Sequence, residues 1–371
     1  MKAIGIILAG GNSEMRMGEL TAHRAAAAMP VGGSYRAIDF PLTSMTASGI
    51  GKIAVITQYN SRSLHDHLVS SKWWDLGRKK GGLFVLSPYT SNDNSSWFRG
   101  TADSLYQNIS FLKRSNEPYV AISSGDAVYK MNYKDIIAFH KEKEADITIV
   151  YKKMCPESLT KFGIMQMDED GRVLDFEEKP LEPLSDCASL GVYIIGRELL
   201  IDLLEQVVAE GRYDFVRDII IRLRKRLKIY GCEFDGYWSS VGASTLDYYR
   251  TNMDFLNKDI RDVFTKKEPY IDTKPKDEPP VKYNMNAEVA DCVIGSGTIV
   301  NGRIEHSVIF RRVFIGDRAV VKNSILMEGC YIGDDCVIEN AILDKNVVVT
   351  AGKHISGEEG KPSIVKKDSV I

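Results

Sequence analysis

From residue 1 to about 250 the chain alternates short apolar runs with amphipathic stretches; the runs are Ala3 to Ala9, Ile53 to Thr57, Tyr119 to Ser123, Ile147 to Tyr151 and Gly191 to Ile195. Apolar runs of strand length separated by helical periodicity predict an α/β domain whose mostly parallel sheet is wrapped by helices. Such a sheet gathers its ligands at the carboxyl ends of the strands, so motifs that follow strands carry most weight. The pattern breaks between about residues 262 and 283, in Thr265-Lys-Lys-Glu-Pro269 and Lys274-Pro-Lys-Asp-Glu-Pro-Pro280. Prolines there lack amide donors and resist both helix and central strand. The segment predicts a linker between a first domain, 1–261, and a second, 284–371.

The second domain repeats itself. Ser307-Val308-Ile309 returns as Ser324-Ile325-Leu326 and as Ala341-Ile342-Leu343, 17 residues apart each time, and Ile315-Gly316-Asp317 returns as Ile332-Gly333-Asp334 at the same step. A period near three hexapeptides is the signature of a parallel β-helix, in which each triangular coil stacks its aliphatic residues on the coil before. An antiparallel sandwich of short strands would not require identical spacing at two independent motifs. The hexapeptide pattern resembles left-handed β-helices, and open coil edges favour association with another chain.

Composition narrows the partners. Lys plus Arg total 48 against 50 Asp plus Glu, so no net charge draws the chain to nucleic acid or to an anionic membrane. The six cysteines form no C-x-x-C pair and no ligand set with histidine, which fits buried, reduced thiols in a cytoplasm. The apolar start runs into Gly10-Gly11 without a cleavage site or a stretch of membrane-spanning length, and reads as a first strand.

Short blocks after the strands carry the candidate chemistry. Glycines in Leu8-Ala-Gly-Gly11 let backbone amides approach a phosphate or base, although a ligand-free turn would use the same residues. Asp126, in Ser124-Gly-Asp126, is short enough to hold a hard cation rigidly, or it caps a helix. Glu177-Glu178-Lys179-Pro180, taken alone, is more often just a solvated turn. Other blocks occur in order with these: Gly32-Gly-Ser-Tyr-Arg-Ala-Ile-Asp-Phe40, Trp97-Phe-Arg-Gly-Thr-Ala-Asp103, Phe162-Gly-Ile164, Ala188-Ser-Leu-Gly-Val-Tyr193 and Gly236-Tyr-Trp238. Together they resemble bacterial ADP-glucose pyrophosphorylase, the glucose-1-phosphate adenylyltransferase family, over nearly the whole chain.

The resemblance implies a Rossmann-like nucleotidyltransferase domain followed by a left-handed β-helix. It also implies a reaction of glycogen biosynthesis, in which ATP and glucose 1-phosphate give ADP-glucose and pyrophosphate with Mg²⁺ on the phosphates. The sugar phosphate is itself the nucleophile, so the protein supplies positioning and charge neutralisation. Gly10, Gly11 and Arg16 fall in what resembles the nucleotide loop, and Gln58 with the Gly100-Thr101-Ala102 turn matches positions around the base. Arg16 and Asp126 match catalytic positions, Asp126 as the metal-binding carboxylate. Phe98, Gly163, Glu178, Lys179 and Ser189 match the glucose 1-phosphate site, with Lys179 as the phosphate's counter-charge and Glu178 as acceptor for a sugar hydroxyl.

The chain also departs from the catalytic form. Its loop reads Gly10-Gly-Asn-Ser-Glu-Met-Arg16, one residue longer than the family's Gly-Gly-Arg-Gly-Thr-Arg, with an acidic Glu14 expected to face triphosphate oxygens. Ala26 stands where the family has the lysine of Arg-Ala-Lys-Pro, Ser240 where it has the second metal-binding aspartate, and Phe98 where it has tyrosine. Losing such groups around one phosphate chain costs on the order of 10²-fold in rate per change. This pattern resembles the D-type subunit, which implies a regulatory chain of little activity in a hetero-oligomer, expected to be a tetramer, with a catalytic subunit. Homo-oligomer and hetero-oligomer both stay open. The alternatives are a self-sufficient adenylyltransferase and a module that only senses sugar phosphates. Deleting the chain from about residue 284 is expected to abolish partner contact while leaving the first domain soluble.

Other clusters are weaker. His65 and His67, two positions apart on a helix, face different ways and predict surface or cap roles rather than a metal site. Arg78-Lys79-Lys80 and Arg311-Arg312 are solvated basic clusters or part of an effector phosphate site.

Overall fold

The computed structural model describes residues 2–77, 81–89 and 97–371. The first part of the chain is built on a nine-stranded sheet made of β1 (Ala3–Ala9), β2 (Lys52–Thr57), β3 (Gly82–Leu86), β4 (Tyr119–Ser124), β5 (Ile147–Lys153), β6 (Gly163–Met167), β7 (Val173–Glu178), β8 (Cys187–Gly196) and β9 (Ile229–Glu233). The strand order is β7-β6-β8-β4-β1-β2-β3, with β5 pairing both β8 and β9. Strands β3, β2, β1 and β4 run parallel, as do β5 and β9, while β8 runs antiparallel to β4, β5 and β6. The parallel strands are near-continuous apolar runs because the sheet is covered on both faces. Alternate residues of β1 accordingly enter opposite cores: Ile4 and Ile6 join Leu105, Ile122 and Leu204, whereas Ile7 joins Val55, Leu64 and Tyr133.

The proline-rich segment leaves helix Lys258–Thr265 and carries no helix or strand from 266 to 281. It is strapped to the first domain. Thr43 Oγ1 accepts from the Asp272 amide at 3.0 Å, Trp74 Nε1 donates to the Asp272 carbonyl at 3.1 Å, and Thr273 Oγ1 donates to Asp39 at 2.6 Å. Lys130 Nζ donates to the carbonyls of Val263 (2.5 Å) and Lys267 (2.6 Å).

Beyond it the chain is a hexapeptide-repeat, left-handed β-helix of short parallel strands. The repeat is explained by hydrogen bonds as well as by aliphatic stacking. Ser307 and Ser324 are both fully buried; the Ser324 amide donates to Ser307 Oγ, and the Ala341 amide to Ser324 Oγ, each at 3.1 Å across 17 residues. One hydroxyl per coil thus pins the register of the next, and the aliphatic pairs beside it, Val308 over Ile325 over Ile342, follow.

The two parts share a core. Val308, Phe310, Ile325, Met327 and Ile342 of the β-helix pack in one cluster with Met17, Leu20, Phe40, Phe255 and Phe264 of the first domain. Arg24 donates to Asp344 at 2.6 Å across this junction, with both side chains buried, and Tyr249 Oη donates to the Asn323 carbonyl at 2.6 Å. No helix among the described residues is long and apolar enough to cross a membrane.

Candidate active site

The carboxyl ends of β1, β2 and β4 open into a cavity of about 530 Å³. Gly10, Gly11, Arg16, Ala26, Gln58, Phe98, Gly100, Thr101, Asp126, Gly163, Glu178, Lys179, Ser189 and Ser240 all line it, so residues up to 230 positions apart meet in one place. Of the residues matched to nucleotide or sugar-phosphate positions, Ala102 does not line it: it is fully buried in the core beneath.

Beside β1, Gly10 lies so close to Gln58 that an added Cβ would sit 3.3 Å from it. Gln58 in turn is occupied. Its Oε1 accepts from the Phe98 amide at 2.9 Å and its Nε2 donates to the Phe98 carbonyl at 3.3 Å, which clamps the Trp97–Gly100 segment over the cavity. That segment enters helix Thr101–Gln107 at Gly100, where a Cβ would fall 2.4 Å from the Tyr213 carbonyl oxygen. The amides of Ala102 and Asp103 donate to that same carbonyl, and Thr101 Oγ1 accepts from the Phe215 amide at 2.8 Å. The Gly-Thr-Ala turn is therefore fixed by protein contacts. Glu14 does not line the cavity: it opens the short helix Glu14–Met17, its amide donating to Asn12 Oδ1 at 3.0 Å. Its neighbours Ser13 and Arg16 do line it.

Asp126 follows β4 and precedes a short strand, Ala127–Tyr129, which rules out the helix-cap reading. Ser124 Oγ donates to Asp126 Oδ1, and no cation pairs with Asp126 among the described residues. Ser240 ends strand Trp238–Ser240, which runs antiparallel to Ala127–Tyr129 with Ser240 opposite Ala127. The next turn brings Gly242 so near that a Cβ there would lie 2.1 Å from Asp126 Oδ2 and 3.1 Å from the Ala26 methyl. Ala26, Ser240 and Asp126 are thus neighbours, and Asp126 is the sole carboxylate of the three.

Of the positions expected to take the sugar phosphate, Gly163, Glu178, Lys179 and Ser189 lie on or just after β6, β7 and β8, whereas Phe98 belongs to the segment clamped by Gln58. A Cβ at Gly163 would fall 2.3 Å from the Phe176 ring and 3.0 Å from Glu178 Oε2, so only glycine leaves this wall open. Burial raises the Glu178 carboxyl above its ordinary range, partly offset by Lys179, whose Nζ is 3.7 Å away. Lys179 has left-handed backbone, φ 51°, and its amide donates to the Phe162 carbonyl, which turns the chain sharply out of β7. The wall also includes residues that the sequence analysis does not assign, among them Lys161, Tyr193, Phe215 and Trp238. Trp238 meets Phe162 edge-on at 5.2 Å, and its indole Nε1 is buried without a hydrogen-bond partner among the described residues. The Gly236-Tyr-Trp238 block signalled it, whereas buried aromatics such as Tyr193 and Phe215 look like core in sequence.

The histidines and the β-helix arginines are engaged with the protein itself. His65 bonds Thr57 Oγ1 at 2.9 Å and His67 bonds Asp39 at 2.6 Å, so the two histidines share no ligand. Arg312 pairs with Glu278 and Glu328, and Arg311 donates to the Ser34 carbonyl at the domain junction. Arg78-Lys79-Lys80 lies outside the described residues. Cys330 and Cys336 are buried and unpaired; Cys155 is unpaired too, but exposed. No group of three or more potential metal-ligating side chains occurs among the described residues.

Comparison with known proteins matches the description "Nucleotidyl transferase" to residues 4–258 and "GlmU-like, C-terminal hexapeptide" to residues 279–362. Among curated relatives, the glucose-1-phosphate adenylyltransferase of Geobacillus stearothermophilus is 38% identical, covering 86% of this chain and 83% of the relative. That of Thermotoga maritima is 40% identical over 86% of this chain and 76% of its own, and that of Clostridium novyi is 37% identical over 86% and 84%.

Proposed function

The chain belongs to the glucose-1-phosphate adenylyltransferases of the nucleotidyl transferase family, and on that premise we propose that it is the regulatory subunit of an enzyme forming ADP-glucose from ATP and glucose 1-phosphate. The observation that carries this reading is the pairing of Ala26 and Ser240 beside Asp126 in an otherwise complete cavity. A methyl and a hydroxyl stand where charge neutralisation and a second carboxylate would be needed, while the sugar-phosphate wall keeps Glu178, Lys179 and Ser189. Asp126 fits Mg²⁺ as a single carboxylate ligand for an ion carried in on nucleotide phosphates, since Mg²⁺ takes few protein ligands and keeps its waters. The ion would supply charge neutralisation on those phosphates.

The partner surface we propose is on the β-helix. Ile299, Phe314, Tyr331 and Val348 stack in register along one outer face, the Phe314 and Tyr331 rings lying 4.8 Å apart and nearly parallel, with Tyr331 46% exposed. A ladder of that kind suits a catalytic homologue built on the same repeat. The test is pyrophosphate release by this chain alone, by the catalytic subunit alone, and by both together. We expect little release by the chain alone and more by the mixture than by the catalytic subunit. Turnover by the pure chain within about tenfold of the catalytic subunit would make it a self-sufficient enzyme.

A further inference from the structure

The cavity wall holds cations in unequal circumstances. Arg99 is committed to the protein, bonding the fully buried Asp103 at 3.0 Å and Tyr213 Oη at 2.7 Å. Lys179 is only loosely held by Glu178. Lys161 lines the cavity, yet its Nζ is bound at 2.9 and 2.7 Å to both oxygens of Asp247, which does not line it. Asp247 also accepts from Ser244 Oγ at 2.5 Å and sits in the first turn of helix Thr245–Asp254. The segment from Ser240 to Asp247 therefore has Asp126 and Ala26 against it at Gly242 and the Lys161 ammonium against it at its far end. Lys161 itself immediately precedes Phe162 and Gly163, the wall on which a sugar phosphate would rest.

A lysine side chain has four rotatable carbons and a point charge that can change partners without backbone movement. Asp247 offers it one negative charge, whereas a phosphate monoester offers up to two and three acceptor oxygens. We propose that Lys161 is a phosphate-binding residue of this site: it is held by Asp247 and transfers to the phosphate of a bound sugar phosphate, supplying the charge that Ala26 cannot. This inference rests on the sugar-phosphate reading given above.

The test is calorimetric titration of the full chain with glucose 1-phosphate at fixed ionic strength, in wild type, Lys161→Met, Lys161→Arg and Asp247→Asn. We expect Lys161→Met to lose at least tenfold in affinity, Lys161→Arg to stay within about threefold, and Asp247→Asn to gain several-fold because the competing carboxylate is gone. The salt dependence of binding should also flatten in Lys161→Met, which a purely structural role would not produce. Wild-type affinity in Lys161→Met, or an equal loss in Lys161→Met and Asp247→Asn, would overturn the inference while leaving the sugar-phosphate site standing. Absence of glucose 1-phosphate binding by wild type would overturn the site itself and this inference with it.

Discussion

Ala26 and Ser240 come from distant parts of the chain and meet at one carboxylate, Asp126. Because both positions line the cavity beside Asp126, longer side chains placed there would point charge toward that carboxylate. We expect Ala26→Lys combined with Ser240→Asp to raise ADP-glucose formation by the isolated chain at least tenfold, read by pyrophosphate release. A second outcome concerns Trp238, whose indole N–H is buried with no acceptor among the described residues. Leaving a buried donor unpaired costs about 1–3 kcal/mol, so Trp238→Phe should leave the melting temperature unchanged or raise it, while weakening glucose 1-phosphate binding in calorimetry. A fall in both would show that the indole serves packing alone. These residues were unequally visible beforehand. Asp126, Gly163 and Lys179 follow or bound strands within recognisable blocks, but the burden on Gln58, whose amide is taken by the Phe98 backbone, and the pairing of Lys161 with Asp247 depend on contacts across 40 and 86 positions that no local pattern encodes.

Among the elements, those with strict spacing were the most legible. The 17-residue step was readable because a buried serine hydroxyl ties each coil to the next, so a shift of one residue would orphan an amide in the core. The parallel strands were readable as apolar runs for the reason that both their faces are covered. Helix Tyr133–Glu142 shows what such covering does to a titratable side chain. His140 is 3% exposed, its Nδ1 is 2.8 Å from Thr148 Oγ1 on β5, and burial lowers its pKa from 6.5 to about 4. Between those values the unfolded chain binds a proton that the folded chain does not. Stability present above pH 6.5 is therefore lost as the pH falls toward 4, at up to about 1.4 kcal/mol per pH unit. Urea titrations at pH 7 and 5 should show this drop in wild type, and His140→Gln should reduce it. An equal drop in both would assign acid sensitivity to other groups.

At the scale of the whole molecule, the expectation of a first domain that stays soluble alone conflicts with the shared core. Met17, Leu20, Phe40, Phe255 and Phe264 lie under the β-helix, and truncation near residue 284 would bare them. Nothing in the sequence distinguished these residues from any other core position, since their partners lie far along the chain. The junction also reaches the cavity. Arg24, bonded to Asp344 of the β-helix, is two residues from Ala26, so the second domain holds the turn on which Ala26 sits. Both partners of that ion pair are buried, with relative exposures of 5% and 2%. Removing one partner of such a pair costs about 3–5 kcal/mol because the other is left buried and uncompensated, whereas replacing both with apolar residues of similar volume is often neutral. We therefore expect Asp344→Ala to lower the unfolding free energy by about that amount, and Arg24→Met combined with Asp344→Leu to recover most of it, both measured by urea titration. If stability alone were at stake, the double variant would also behave as wild type in every binding assay. If the junction transmits the position of the β-helix to the phosphate end of the cavity, the double variant will be stable yet altered in its affinity for glucose 1-phosphate and in its effect on a catalytic partner. We expect the second result, because the ion pair is a directional contact to the turn at Ala26 and an apolar pair leaves that turn free to shift. Unchanged affinity and unchanged stimulation in a stable double variant would confine the junction to holding the two domains together.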